Sequence, residues 1–377
     1  MKKWNLTHPE EMLFALLRAS LHQKEVEISY FQNVTDDDWS SCFRIAKVQG
    51  VAALAWDGLK KLPTTFYPPL ELKLKWGMAV RNCEKKHRRY CQTIHELSAF
   101  YASHDIATLQ LKGVGFSSYY PVPEHREGGD IDIFTYSTDK AKMTDVEANS
   151  LADELMRKQG IDVDLTKTVK HSNYIYQGVP IENHKTFLNV DRFPIAVQVE
   201  KILHELIQPE TVSFYDGVCR FHMPNGRFNT LFISFHAAQH YGSGLAIHHL
   251  CDWAMVLVRH GLHLPEELVD KRFLSAISAF TQLCNAHLGT STPVRGCEIL
   301  PKKMLTEILH PRYGKDIPTK APIGIMLYKI KRTWYSLSLR HSVLRGSRWK
   351  ILSPVIKRFL KNPSRLFQKN EPSDKRK

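Results

Sequence analysis

The stretch "REGGDIDIF", residues 126–134, decides how the chain is read. Two glycines lead into a run in which acids alternate with isoleucines. Ile131, Ile133 and Phe134 are strand residues, whereas acids are depleted from strands. Side chains two apart on a strand share a face. Asp130 and Asp132 are therefore expected on one face, and Ile131 and Ile133 on the other. Two carboxylates that close repel each other unless a cation sits between them, and hard divalent cations prefer such oxygen ligands. Gly128 and Gly129 remove side chains where a backbone or a phosphate could approach. Taken alone, the D-x-D pair reads more simply as a solvated strand face at a sheet edge.

The surroundings are mixed. "IATLQL" (106–111) predicts a strand that ends at Lys112-Gly113, and "VGFSSYY" predicts a helix before the acidic strand. A helix between Thr138 and Gln159 closes at Gly160. "IDVDLTKTV" (161–169), "SNYIYQ" (172–177) and "PIENHKTF" (180–187) read as further strands, the last two joined by a turn at Gly178. Upstream, helical spacing runs from residue 8 to 104, with Pro9 near one start and Thr35 capping another. Downstream, helices are expected around 195–207, 226–241, 244–260, 264–287 and 302–310. The fold class is thus α/β (α+β), a small mixed β-sheet core embedded in N- and C-terminal helical regions. The expected units are 1–104, 105–195, 196–320 and a basic amphipathic tail, 321–377.

Composition narrows the class. Of 377 residues, 43% are hydrophobic, which is globular rather than disordered. No run of about 18 uncharged apolar residues predicts a transmembrane helix, and the N-terminus lacks the apolar core of a signal peptide. The chain is expected in the cytoplasm. Its seven cysteines are odd in number and include no C-x-x-C pair, which argues against a disulfide framework or a structural zinc site.

The order of the central motifs carries a resemblance. Lys112-Gly113, Tyr120-Pro121, Arg126, Asp130, Asp132, His171, Glu182 and His184 are followed by His236, His240 and Asp252. Over roughly residues 10–260 this set resembles the bacterial uncharacterised nucleotidyltransferase family. That family is a branch of the superfamily related to DNA polymerase beta. The chain departs from the wider superfamily in Val114, where Gly or Ser usually follows the glycine, and in the long gap from Gly113 to Asp130.

The resemblance implies metal-dependent transfer of an NMP from an NTP to a hydroxyl, with release of pyrophosphate. Asp130, Asp132 and Glu182 would hold two Mg²⁺ or Mn²⁺ ions. Lys112, Gly113 and Arg126 would bind the nucleotide. Arg can grip a phosphate bidentately, and Lys serves as a point charge. His171 and His184 flank the third acid and are expected on the acceptor side or in packing. His236 and His240 stand four apart on one helix face. They read as packing or as lining of the acceptor cleft. A zinc site would need a third ligand from His248, His249 or Asp252. The acceptor is open among a small molecule, a sugar, a protein hydroxyl and RNA. The competing class is a catalytically silent binding protein of the same fold that uses its basic tail.

That tail holds most of the charge. Of the formal +14, residues 329–377 supply fifteen Lys/Arg against Glu371 and Asp374, a net +13. Trp334, Leu337 and Leu344 recur at near-helical spacing, as do Trp349, Leu352, Ile356, Phe359 and Leu360. Three readings stay open: an anionic membrane surface at the inner face, nucleic acid, or plain packing on the body.

Overall fold

The computed structural model describes residues 4–165, 169–191, 193–296, 298–314 and 321–346. Among them are twelve α-helices and six strands. Four helices come first: α1 (His8–His22), α2 (Asp36–Val48), α3 (Ala52–Leu59) and α4 (Leu70–Ala102). The first two start where the sequence places caps. Thr7 and Glu10 close a capping box on α1, with Pro9 in its first turn. Thr35 and Asp38 do the same on α2. Gly58 lets α3 lie against the α1 backbone, because a Cβ there would strike the Leu16 carbonyl. The 33-residue α4 buries Trp76, Val80, Tyr90, Ile94, Leu97 and Tyr101 along one helical stripe.

The sheet is built from β1 (Ile106–Gln110), β2 (Ile131–Ser137), β3 (His171–Tyr176), β4 (Val179–His184), β5 (Pro209–Phe214) and β6 (Cys219–Pro224). Its order is β3-β4-β2-β1-β6-β5. β2 runs antiparallel to β1 and parallel to β4, and β1 runs parallel to β6. The β3–β4 hairpin turns at Gln177 and Gly178, both with positive φ (49° and 71°), as a two-residue turn of matching twist requires. The short α5 (Val114–Ser117) follows β1, and α6 (Asp145–Lys158) packs on β2, capped by Thr144 and Glu147. The helices α7 (Pro194–Leu206), α8 (Gly226–His240), α9 (Ile247–His260), α10 (Lys271–Leu283) and α11 (Ile299–Leu309) complete the body.

Two strand expectations change. The sheet does not end at 195. β5 and β6 extend it to Pro224, in a segment the helical reading left unassigned. Both are short; β5 is an edge strand with three exposed residues at its start, so its apolar alternation is weak, whereas β6 alternates buried and exposed residues. Conversely, the described part of 161–169 forms one isolated bridge, Asp164 with Asn173, and residues 166–168 lie outside the described set.

The tail contributes α12 (Pro322–Val343), which packs on α8 and α10. The expected apolar face divides. Leu337 and Leu344 are buried in the core, whereas Trp334 is 57% exposed, on a stripe with Ile323, Leu327 and Ile330. Trp349, Leu352, Ile356, Phe359 and Leu360 lie outside the described residues.

Candidate active site

The parallel β2–β4 ladder sets the site. It pairs Ile131 with Ile181, Asp132 with Glu182, Ile133 with Asn183 and Phe134 with His184. Asp132 and Glu182 therefore stand side by side on one face. The register is locked from the other face by a buried polar network. Asn183 accepts from Thr135 and from Asn149, each at 3.0 Å, and donates to Asp153 at 3.0 Å. Asn149 also donates to the His184 carbonyl at 2.9 Å. Asn183 drew no attention in the sequence, yet it ties β2, β4 and α6 together.

Asp132 is 1% exposed and its charge is compensated. Lys112 Nζ donates to Oδ1 at 3.1 Å, and His184 Nε2 donates to the same oxygen at 3.0 Å. Burial works against the anion, but the Lys112 ammonium and then His184 hold this carboxyl well below the usual carboxylate range. The other ring nitrogen of His184 faces the Thr186 carbonyl at 3.3 Å, so both its nitrogens are turned to oxygen. Glu182 lies 3.3 Å from His171 Nε2 and 3.7 Å from His184 Nε2. Burial raises its pKa, but the His184 hydrogen bond together with the charges of His171 and His184 leaves it lowered. His171 and His184 stack at 5.1 Å between ring centroids.

Asp130 sits one residue before β2. Burial and the neighbouring Asp132 carboxylate push its pKa up to about 6, against the pull of Lys112. The buried acid with cations around it stays ionised, and its neighbour takes the cost of like charge. Donor atoms of Asp132, Glu182 and His184 all lie within 4.8 Å of one another, and Asp130 stands outside that set.

The Lys112-Gly113 turn forms one wall. Gly113 has φ 66° and ψ −124°, a conformation that L side chains rarely adopt. Its carbonyl accepts from Arg126 Nη1 at 3.1 Å. The rest of the Arg126 fork grips Asp252 on α9, Nε to Oδ1 at 2.9 Å and Nη2 to Oδ2 at 2.7 Å. Tyr120 adds a hydrogen bond to Asp252 at 2.6 Å. Asp252 is thereby a structural anchor for the Gly113 turn rather than a spare ligand. The glycines before Asp130 leave open space, with no atom within 4 Å of a Cβ on Gly129. Their carbonyls are tethered to α4, Gly128 by Lys86 and Gly129 by Tyr90.

The opposite wall comes from α8 and α9. Phe134, on the Asp132 face of β2, packs on Phe187, which packs on Phe228 of α8. From there one stripe runs Phe228, Phe232, His236, His240, each ring near the next. His249 of α9 joins at 4.8 Å from His240 and 5.6 Å from His236, with His248 at 3.9 Å from His249. Sequence reasoning passed over Lys170, the residue before β3. Burial and then Lys112 press its pKa down to about 8, while Asp132 and Glu182 pull the other way. Its only signal was adjacency to His171.

A family model described as "Uncharacterised nucleotidyltransferase" matches residues 35–287. No curated protein matches. A crystal structure of an antigenic nucleotidyltransferase-like protein from Paracoccidioides brasiliensis aligns with 55% of this chain and 94% of its own, at 12% identity and a TM-score of 0.36.

Proposed function

Because the chain belongs to the uncharacterised nucleotidyltransferase family, we propose that it moves a nucleoside monophosphate from an NTP to a hydroxyl acceptor, releasing pyrophosphate. The observation that carries this reading is the in-register pair Asp132–Glu182, with Lys112 bound to Asp132 at 3.1 Å. Asp130, Asp132 and Glu182 supply hard oxygen donors that suit Mg²⁺ or Mn²⁺. The crowding that raises the Asp130 pKa is the kind a cation relieves. Such an ion, when bound, neutralises phosphate charge and lowers the pKa of the attacking hydroxyl. Lys112 aims a point charge at the same place. Arg126 fixes the Gly113 turn through Asp252, so the turn meets a nucleotide pre-shaped. His184 and His171 hold the two acids in their rotamers. At its basic end the chain is proposed to meet an anionic membrane surface or nucleic acid. α12 offers Lys329, Lys331, Arg332 and Arg340 and no acid. Among the described residues, no helix is long and apolar enough to cross a membrane.

The test is transfer of α-phosphate label from each NTP, with Mg²⁺ or Mn²⁺, onto lysate fractions, read by mass spectrometry. Parallel melts should show that NTP plus metal protects more than either alone. Identical melting and no transfer would leave a silent relative with the same fold.

Asp130→Asn probes the metal reading by stability. The folded pKa of Asp130 is raised from 3.8 to about 6. Its protonated form therefore favours the fold, fully below pH 3.8 and no longer above about 6. In EDTA at pH 7.5 the variant should be more stable than wild type by on the order of 1–2 kcal/mol, and equal to it near pH 4. Mg²⁺ should raise the wild-type melting temperature more than the variant's. A variant less stable than wild type in EDTA would remove the crowding argument.

A further inference from the structure

We propose that His236, His240 and His249 form a wall of neutral imidazole N–H donors that binds the polyphosphate tail of the nucleotide. The proposal rests on the nucleotidyl-transfer reading and adds a subsite to it. The three rings offer nitrogens within 4.8 Å of one another, and His236 and His240 are half-buried. His236 and His240 continue the aromatic stripe of α8 beyond Phe232, on the sheet face that carries Asp132, and His249 of α9 meets them.

Hydrogen bonding fixes what the third ring can do. The Ala246 N–H donates to His249 Nδ1 at 3.1 Å. Nδ1 thus carries the lone pair, and in the neutral ring Nε2 carries the proton. A ring so placed has a donor to offer and no second lone pair for a metal. Its neighbour is set the other way, since His248 Nδ1 faces the Gln49 carbonyl at 3.1 Å and must donate.

Charge points the same way. Burial is the first reason these three rings stay neutral, and the strongest ionised neighbours acting on them are the cations Lys112, Lys170, Arg126 and Arg340, of which Lys112 and Arg126 are paired with Asp132 and Asp252. A further cation would be repelled there and an anion drawn in. Arg126, the side chain with the geometry for a phosphate, spends its fork on Asp252. Neutral N–H donors beside Lys112 supply what that fork does not.

The experiment uses the full chain and inorganic tripolyphosphate, titrated calorimetrically in EDTA at pH 7.5. His249→Asn keeps a short acceptor near Ala246 N–H but cannot reach as Nε2 does. It should weaken tripolyphosphate about tenfold, as loss of one hydrogen bond to a charged group does. His236→Gln with His240→Gln should weaken it further, and wild-type melting temperatures would show that each variant folds. Unchanged affinity in all variants overturns the proposal. So does a Co²⁺ absorption band that depends on these histidines while tripolyphosphate binding does not. A non-hydrolysable NTP should displace tripolyphosphate. If it binds without displacing it, the wall holds some other phosphate and the assignment to the nucleotide fails. Histidine-dependent tripolyphosphate binding in a chain that transfers no nucleotide would support the wall and reject the transfer reading. Transfer that survives with tripolyphosphate binding insensitive to the histidines would do the reverse.

Discussion

Asp132→Asn is expected to lower nucleotidyl transfer by about 10²–10³ while leaving the fold intact. The change removes one negative charge from a buried position where charge is worth most, at constant volume. The asparagine oxygen can still accept from Lys112 and His184, which meet Oδ1 at 3.1 and 3.0 Å. Its amide can donate to Glu182, the in-register neighbour. Loss of the countercharge to buried Lys112 should lower the melting temperature in EDTA, and relief of the repulsion from Asp130 and Glu182 should offset part of that. Initial transfer rates and thermal melts on the same preparation check both halves. A variant within threefold of wild type would remove Asp132 from the chemistry. Asp132→Ala is the poorer probe, because it leaves the buried Lys112 ammonium with neither a countercharge nor a hydrogen-bond acceptor there.

The largest effect on stability is expected from Arg126→Ala, about 3–5 kcal/mol in urea unfolding, the range for a buried pair that loses one member. Asp252 would keep only the Tyr120 hydroxyl, and the Gly113 carbonyl would keep only the Ser117 N–H, at 3.2 Å. The double variant Arg126→Ala/Asp252→Ala should be less than additive, since removing both charges leaves none stranded. Arg126→Lys should recover part of the loss, because one ammonium cannot span both carboxylate oxygens. Near-wild-type stability of Arg126→Ala would mean that the fork serves a ligand instead of the fold. Three of the five guanidinium N–H groups are engaged with Asp252 and Gly113.

These two residues also show what could be read in advance. Asp132 was legible because its surroundings are local: a strand alternation, two glycines before it and a Lys-Gly one strand earlier. Glu182 was legible as strand-borne, and its resemblance to a third acid suggested the neighbourhood. That β4 runs parallel to β2 in the register that sets Glu182 beside Asp132 depends on Asn183, Asn149 and Asp153, whose partners are distant in sequence. Asp252 lies 126 residues from Arg126, and no periodicity joins them. The edge strand β5 was hard to read for another reason. Edge strands bury little, so their alternation is diluted by exposed residues such as Pro209 and Glu210. The histidines of α8 and α9 were seen as a spacing. The tautomers of His249 and His248 are set by backbone groups at Ala246 and Gln49, which a sequence does not place.

The close fit of α1 on the rest of the body bears on where this protein begins as a physical object. The family match starts at residue 35 and ends at 287. α1 lies before that span, yet Met12, Leu13, Phe14, Leu16 and Leu17 are at most 1% exposed. Arg18 donates to the carbonyl of His287, His22 to that of Leu288, and Trp4 meets the His287 ring at 4.7 Å. The last matched residue is thus held by groups outside the match. The span matched by the family and the span packed into one core are different lengths of chain. A fragment cut to the matched boundaries would lack the helix on which α3 and the π-helical turn at 284–288 rest, and is expected to lose cooperativity before it reports on the chemistry.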